Sequence, residues 1–174
     1  MSKEFYIERE WESKAGLKCV VTVCTKGFRC GYVGIEKSNP LFEQDYLEHS
    51  EILEKFLEER KNQPIGKMSP VSAFCWDGES CRPNVMLNVH GGITYSGGGK
   101  KTSYPIESDL WWFGYDCTHL YDGSDVNLMS KNNRELHQKF HMDMSGIIRS
   151  LEYCTLECES LAKQIIEMTG EKND

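Results

Sequence analysis

The chain has 174 residues, of which 39% are hydrophobic and 27% charged, and its 20 basic and 27 acidic side chains give a formal net charge of −7. This composition is typical of a globular protein of one domain, and it excludes collagen-like and intrinsically disordered chains. The acidic balance disfavours binding to nucleic acid polymers and to anionic membrane surfaces. No apolar run approaches the roughly 20 residues that cross a bilayer, and charged residues begin at Lys3, so we expect neither a membrane span nor a secretory signal peptide.

The chain contains eight cysteines, a number that in a secreted protein would suggest a disulfide framework. Without a secretory signal we expect them to be reduced thiols in a cytosolic protein. Two pairs, Cys24/Cys30 and Cys75/Cys81, are separated by five intervening residues, which is wider than the usual zinc knuckle. The spacing therefore disfavours a four-cysteine zinc site.

The first predicted elements are a hairpin and a helix. β-branched and apolar residues over 17–24 predict a strand, and residues 28–35 predict its partner across a short turn. Asp45 and Glu48 form a pattern similar to a capping box, which predicts the start of a helix that runs to about Lys61.

The middle of the chain is rich in glycine and proline. Residues 62–72 predict a connecting loop, whereas 85–90 and 93–96 predict two short strands interrupted by paired glycines. The aromatic-rich run over 111–117 predicts a further strand.

The C-terminal third predicts helices. A helix over 146–168 follows from apolar residues at helical spacing, which are Ile147, Leu151, Cys154, Cys158, Leu161 and Ile165. A helix over 131–144 precedes it, and we expect the tail 170–174 to fray. Strands followed by helices predict a single α+β domain with a mainly antiparallel sheet, one face of which the C-terminal helix covers.

The first candidate motif is His90-Gly91-Gly92-Ile93-Thr94-Tyr95. Paired glycines at a strand end let the backbone approach a ligand closely and leave N–H groups that can hold an anion. The histidine beside them can ligate a metal ion or transfer a proton. A structural interpretation also stands, because glycine within a strand pattern commonly marks a bulge.

The second candidate motif runs from Trp111 to Asp122. Alternation along its strand places Trp111, Phe113 and Tyr115 on one face and Trp112, Gly114 and Asp116 on the other. Gly114 leaves room for a flat ring beside Trp112. Asp116, His119 and Asp122 follow at three-residue intervals, and they suit a divalent metal or acid–base chemistry. The alternative is that the aromatic residues form core and that Asp122 begins a turn.

These two motifs carry a resemblance to a family, together with Gly31-Tyr32-Val33-Gly34, Asn39-Pro40-Leu41 and Glu157-Cys158-Glu159-Ser160-Leu161-Ala162. The chain resembles short proteins that occur in bacteriophages and in bacterial genomes carrying prophages, over most of residues 28–168 except the stretch around 48–80. The resemblance implies a phage or prophage origin, hence the cytoplasm of the host cell, and a pocket built from the two motifs. It implies no particular activity.

Three functions are consistent with the motifs. The first is binding of a small nucleotide-like, phosphate-bearing ligand, with its phosphate at the glycines and its base on Trp112 or Tyr95. In a phage setting such a protein would sequester or degrade a nucleotide immune signal of the host. The second is a metal-dependent hydrolase that acts on such a ligand. The third is a protein–protein adaptor that inhibits a host factor through the acidic helices.

We rank binding first because glycine, tryptophan and lysine are abundant near the motifs, whereas residues that commonly ligate metal ions are few. The residues expected to bind the ligand are His90, Gly91, Gly92, Thr94, Tyr95, Lys100, Trp112, Asp116 and His119. The candidates for catalysis are His90, Asp116 and His119, and a divalent metal would use these three with Asp122. Binding requires no cofactor, and self-association stays open. Residues 89–96 and 112–122 are expected to surround one concave site.

Overall fold

The computed structural model describes residues 4–59, 81–99, 104–140 and 145–170. A five-stranded antiparallel sheet and a long C-terminal helix give the chain the predicted α+β class, in a single domain. The strands are β1 (Phe5–Glu12), β2 (Lys18–Cys24), β3 (Arg29–Ile35), β4 (Tyr95–Gly98) and β5 (Trp111–Asp116). Their order across the sheet is β1-β2-β3-β5-β4, so that β5 lies between β3 and β4.

A second, parallel pair consists of two-residue strands, β6 (Asp122–Gly123) and β7 (Ile147–Ile148). The helices of the described ranges are α1 (Glu51–Glu59), α2 (Pro83–Met86), α3 (Lys131–Phe140) and α4 (Leu151–Thr169). Within those ranges, none is both long and apolar enough to span a bilayer.

The predicted hairpin is confirmed as β2 and β3. Its turn uses Gly27 at a φ of 93°, and a Cβ there would lie 2.6 Å from the carbonyl oxygen of Asp125. All residues of β2 after Lys18 are buried, as are all residues of β3. These two strands are buried on both faces because each face of the sheet carries a hydrophobic core.

The larger core lies between the sheet and α4. The helix contributes fully buried Cys154, Cys158, Leu161, Ala162 and Ile165, which pack with Val21, Val33, Phe113 and Tyr115 of the strands. The smaller core on the opposite face consists of Val20, Cys30, Tyr32 and Trp112. The seven cysteines of the described ranges are buried, and none of them is in a disulfide bond.

Strand β1 is an edge strand that the sequence analysis did not predict. Its half-buried residues are Phe5, Glu8 and Trp11, a spacing of three rather than two. The register shifts between Ile7 and Arg9, and this bulge breaks the alternation by which strands are usually recognised.

The helix predicted over 45–61 begins only at Glu51, and residues 60 and 61 lie outside the described ranges. Asp45 instead closes a turn, because its Oδ1 accepts a hydrogen bond from the backbone N–H of Leu47 at 2.8 Å. Local side-chain bonding of this kind competes with helix formation. Leu47, which lies in this turn, is exposed.

The C-terminal helix begins later than predicted, at Leu151. Ser150 is its N-cap, with an extended ψ of 163° and a side chain that accepts a hydrogen bond from the N–H of Tyr153 at 3.1 Å. Gly170 ends the helix in the left-handed region at a φ of 70°. Ile147 therefore lies in β7 and is exposed, and its predicted place in the buried stripe is wrong.

The prediction of a strand over 85–90 is also wrong. Pro83 opens the short helix α2, since its fixed φ and missing N–H suit the first helical position. Of the remaining predictions, the strand at 93–96 is displaced to β4, and the strand over 111–117 is confirmed as β5. The loop 62–72, residues 141–144 of the predicted helix, Lys100 and the tail 171–174 lie outside the described ranges.

Candidate functional site

Three side chains from the two motifs meet beside the first turns of α4. One ring nitrogen each of His90 and His119 and one carboxylate oxygen of Asp122 lie within 4.8 Å of one another. His90 Nε2 is 2.7 Å from Asp122 Oδ2, and His119 Nδ1 is 3.6 Å from the same oxygen. The sequence analysis named all three residues, and the fold brings them together.

The histidine-glycine-glycine turn places His90 against α4. The N–H of His90 donates to Glu157 Oε2 at 2.7 Å, and the N–H of Gly92 donates to the carbonyl oxygen of Val89 at 2.9 Å. The N–H of Gly92, one of the glycine N–H groups expected to hold an anion, is thus already bonded within the chain.

Gly91 makes room for the second imidazole. Its φ is 66°, and a Cβ at this position would lie 1.9 Å from Cε1 of His119. No other residue type lets the ring approach the backbone so closely. The space that the sequence predicts for a ligand is occupied by a side chain of the protein itself.

Asp122 is the buried centre of the cluster, with a side chain only 2% exposed. Its Oδ1 accepts a hydrogen bond from Arg149 Nε at 2.7 Å, and its Oδ2 accepts one from the N–H of His119 at 3.0 Å. Burial acts to raise the pKa of this carboxyl, but hydrogen bonds from His90 and Arg149 outweigh it and hold the pKa below its ordinary value. The group is therefore a carboxylate at neutral pH.

Three residues of the site were not predicted from the sequence: Arg149, Tyr153 and Glu157. Arg149 follows β7 directly, so the pairing of β6 with β7 brings its guanidinium to Asp122. Tyr153 and Glu157 are one helical turn apart on α4. Polar residues at this spacing occur on most amphipathic helices, so the spacing alone does not indicate a functional site.

Tyr153 orients His90 and also contacts Arg149. Its hydroxyl lies 3.0 Å from His90 Nδ1, and its ring lies 5.0 Å below the Arg149 guanidinium carbon. Burial raises the pKa of Tyr153 to about 12, so that the phenol stays protonated at neutral pH. A neutral hydroxyl can donate to or accept from the imidazole, and therefore supports either tautomer of His90.

His119 differs from His90 in having a ring nitrogen without a hydrogen-bond partner among the described residues. Its Nδ1 is buried and has no hydrogen-bond partner within the described residues, although the side chain as a whole is 33% exposed. Buried polar atoms are nearly always paired, so this nitrogen, 3.6 Å from Asp122 Oδ2, has room for a hydrogen bond to water or for a bond to a ligand.

Asp116 lies apart from this cluster, and the expectation of one concave site around both motifs is wrong for it. Its Oδ2 accepts a hydrogen bond from the hydroxyl of Thr94 at 2.8 Å, and it shares a depression with Tyr32 of the smaller core. His90 instead contacts the helix that covers the larger core. Alternation along β5 places Asp116 on the same face of the sheet as Trp112 of the smaller core, away from α4.

The predicted stacking residues are not at the cluster either. Trp112 is fully buried and its Nε1 donates to Ser108 Oγ at 3.0 Å, so no ligand can stack on it. The space beside Gly114 is filled by Tyr32, whose Cδ1 would lie 2.4 Å from an added Cβ. Tyr95 packs on the smaller core with Tyr32.

We compared the chain with protein-family models, with curated proteins and with solved structures, and none of the three comparisons found a match.

Proposed function

We propose that the protein is a metal-dependent hydrolase of a small phosphate ester, with a zinc-like divalent ion held by His90, His119 and Asp122. The observation that carries the proposal is the buried Nδ1 of His119, which has no hydrogen-bond partner among the described residues. This nitrogen faces Asp122 Oδ2, the oxygen that His90 already contacts. Hydrolysis ranks above binding alone, because the N–H groups of His90 and Gly92 already have partners and are not available to hold a phosphate.

The donor set suits such an ion. Two imidazoles and one carboxylate are a common set of three protein ligands in catalytic zinc sites, where the fourth position holds water or substrate. A tetrahedral ion with ligands at about 2.1 Å separates them by about 3.4 Å, and the contacts of 2.7 and 3.6 Å at Asp122 Oδ2 bracket that value.

The surrounding residues fit the same role. A histidine that binds a metal through Nε2 must carry its proton on Nδ1, and the Tyr153 oxygen at 3.0 Å can accept it. Arg149 holds the second carboxylate oxygen of Asp122 at 2.7 Å, which leaves Oδ2 to face the ion. Both contacts would orient the side chains that hold the ion.

The charges and exposed groups around the cluster favour a nucleotide-like substrate. Arg149 is 20% exposed, and its guanidinium carries further N–H donors that can hold a phosphate. Tyr121, between His119 and Asp122, is 76% exposed and offers a ring on which a base can stack. A metal ion there would lower the pKa of a water molecule, and hydrolysis adds that water across the ester P–O bond to give a phosphate and an alcohol.

The test begins with zinc and manganese titration of the chelated protein, followed by turnover of bis(p-nitrophenyl) phosphate and of mono-, di- and cyclic nucleotides. We expect about one ion per chain and turnover that chelation abolishes. His119→Ala should weaken metal binding at least tenfold. The matched control is His49→Ala, which removes an exposed histidine paired with Glu54 at 3.2 Å.

Two results would contradict the proposal. Metal content unchanged by His119→Ala would remove the site itself. A nucleotide that binds beside a retained ion but is recovered chemically intact would replace hydrolysis with the binding function, in which the protein sequesters its ligand.

A further inference from the structure

The face of the sheet opposite α4 carries a depression of about 290 Å³ with a largely aromatic wall. The aromatic rings on this face that line it belong to Phe5, Phe28, Tyr32, Tyr95 and Tyr104, whereas the ring of Tyr115, also at its border, packs in the larger core against α4. None of the residues in the metal cluster lines it, so the depression is a separate feature from the proposed hydrolytic site.

The rings that line the depression meet edge to face. The centroids of Tyr32 and Tyr104 are 5.3 Å apart at 85°, those of Tyr32 and Tyr95 are 5.7 Å apart at 84°, and those of Phe5 and Tyr104 are 5.6 Å apart at 73°. Rings at right angles present their faces in different directions. Phe5, Phe28, Tyr95 and Tyr104 are only partly buried, so that solvent reaches them.

Asp116 is the single charged residue among the described residues that line the depression. The Thr94 hydroxyl donates to Oδ2 at 2.8 Å, the Thr118 N–H donates to Oδ1 at 3.1 Å, and the Thr118 hydroxyl also donates to Oδ1. All three donors are neutral, and no basic side chain of the described ranges forms an ion pair with Asp116. The negative charge is held in place without being neutralised.

We propose that this depression binds a small organic cation of the quaternary ammonium class, with its methyl groups against the aromatic rings and its charge near Asp116. Aromatic faces attract cations through the ring quadrupole, and several rings around one methylated ammonium are a known way to recognise it. Ring faces are poor hydrogen-bond acceptors, so an ammonium that carries N–H groups would lose part of its hydration against them, whereas a quaternary ammonium has no N–H group to satisfy.

The experiment compares choline with its uncharged isostere 3,3-dimethylbutan-1-ol, each titrated into the full chain and followed by NMR. We expect choline to bind at about millimolar or lower concentration, and the neutral analogue at least tenfold more weakly. Asp116→Asn keeps the shape of the side chain and removes its charge, and should weaken choline binding about tenfold. Asp109→Asn, at an exposed aspartate, is the matched control and should change nothing.

A second variant guards against a folding defect in Asp116→Asn. Phe28→Leu removes one aromatic face, and we expect it to weaken choline binding about threefold or more with the unfolding midpoint retained. Equal binding of choline and its neutral isostere would overturn the proposal, as would binding unaffected by both variants.

Discussion

At two positions where the sequence suggests space for a ligand, the space beside a glycine is filled by another side chain of the protein. Gly91 accommodates the imidazole of His119, and Gly114 accommodates the ring of Tyr32. The sequence shows that a side chain is missing at these positions. It does not show which group fills the space, because that depends on which strands and turns are neighbours.

Gly91→Ala should disturb the metal cluster, because the added Cβ would overlap the His119 ring at 1.9 Å. Gly92→Ala is the matched control: its φ of 90° is also unfavourable for alanine, but the nearest atom is 3.9 Å away. Both variants should lose about 1–2 kcal/mol of stability from backbone strain. Only Gly91→Ala should weaken zinc affinity at least tenfold in a calorimetric titration, and equal affinities would contradict this account of the turn.

Tyr121→Ala tests the exposed ring beside the cluster. The side chain is 76% exposed, so its loss should change the unfolding free energy by less than about 0.5 kcal/mol. Loss of a base-stacking contact should raise KM for a nucleotide substrate about fivefold to tenfold with kcat nearly unchanged. The kinetics of p-nitrophenyl phosphate, which lacks the base, provide the comparison. A similar rise in KM for both substrates would contradict stacking.

At the scale of the element, α4 joins the core to the site. Its fully buried residues, among them Leu161 and Ile165, pack against the sheet. Its first turns present Tyr153 and Glu157 to His90 at 3.0 and 2.7 Å. The position of the histidine therefore depends on the packing of this helix against the sheet, since the residues next to Tyr153 and Glu157 are themselves buried in the core.

Leu161→Ala should lower the free energy of unfolding by about 2–5 kcal/mol, because it removes a fully buried side chain and leaves a cavity. Leu156→Ala on the same helix is the control, since that side chain is 63% exposed and its loss should cost less than about 0.5 kcal/mol. Urea unfolding measures both. A loss below about 1 kcal/mol for Leu161→Ala would contradict the packing of α4 on the sheet.

At the scale of the whole molecule, Arg29 connects segments that are distant in sequence. From β3, its Nε and Nη2 donate to the two carboxylate oxygens of Glu8 on β1 at 2.6 and 2.7 Å. Its Nη1 donates to the carbonyl oxygen of Arg149 at 2.9 Å. The edge strand, the centre of the sheet and the backbone that carries Arg149 are thus joined by one largely buried guanidinium.

Arg29→Ala should cost about 2–4 kcal/mol, because it leaves the Glu8 carboxylate and the Arg149 carbonyl without their partner. Arg9→Ala on β1 is the control, since that residue is exposed and makes one side-chain hydrogen bond, to Thr155 at 3.2 Å. It should cost less than about 1 kcal/mol. Thermal unfolding measures the difference, and similar losses for the two arginines would contradict the role of Arg29.

The accuracy of the sequence predictions followed the strength of the local signal. The hairpin and β5 were predicted because β-branched and aromatic runs carry their own pattern. The edge strand β1 was missed because its bulge hides the alternation, and α2 was mistaken for a strand although Pro83 opens it. The start of α4 was misplaced because Ile147 matches the helical spacing but belongs to a strand pair formed with Asp122.

The sequence by itself determined the α+β class, the hairpin, the buried stripe of the last helix and three residues of the candidate site, His90, His119 and Asp122. These features depend on residue spacing and composition within short stretches of the chain, which the sequence shows directly. Only the tertiary structure decided that Asp116 turns to the other face of the sheet and that Arg149 joins the cluster. The physical reason is that strand pairing and the packing of the helix on one face determine which distant side chains meet. Neither can be predicted from a local pattern in the sequence.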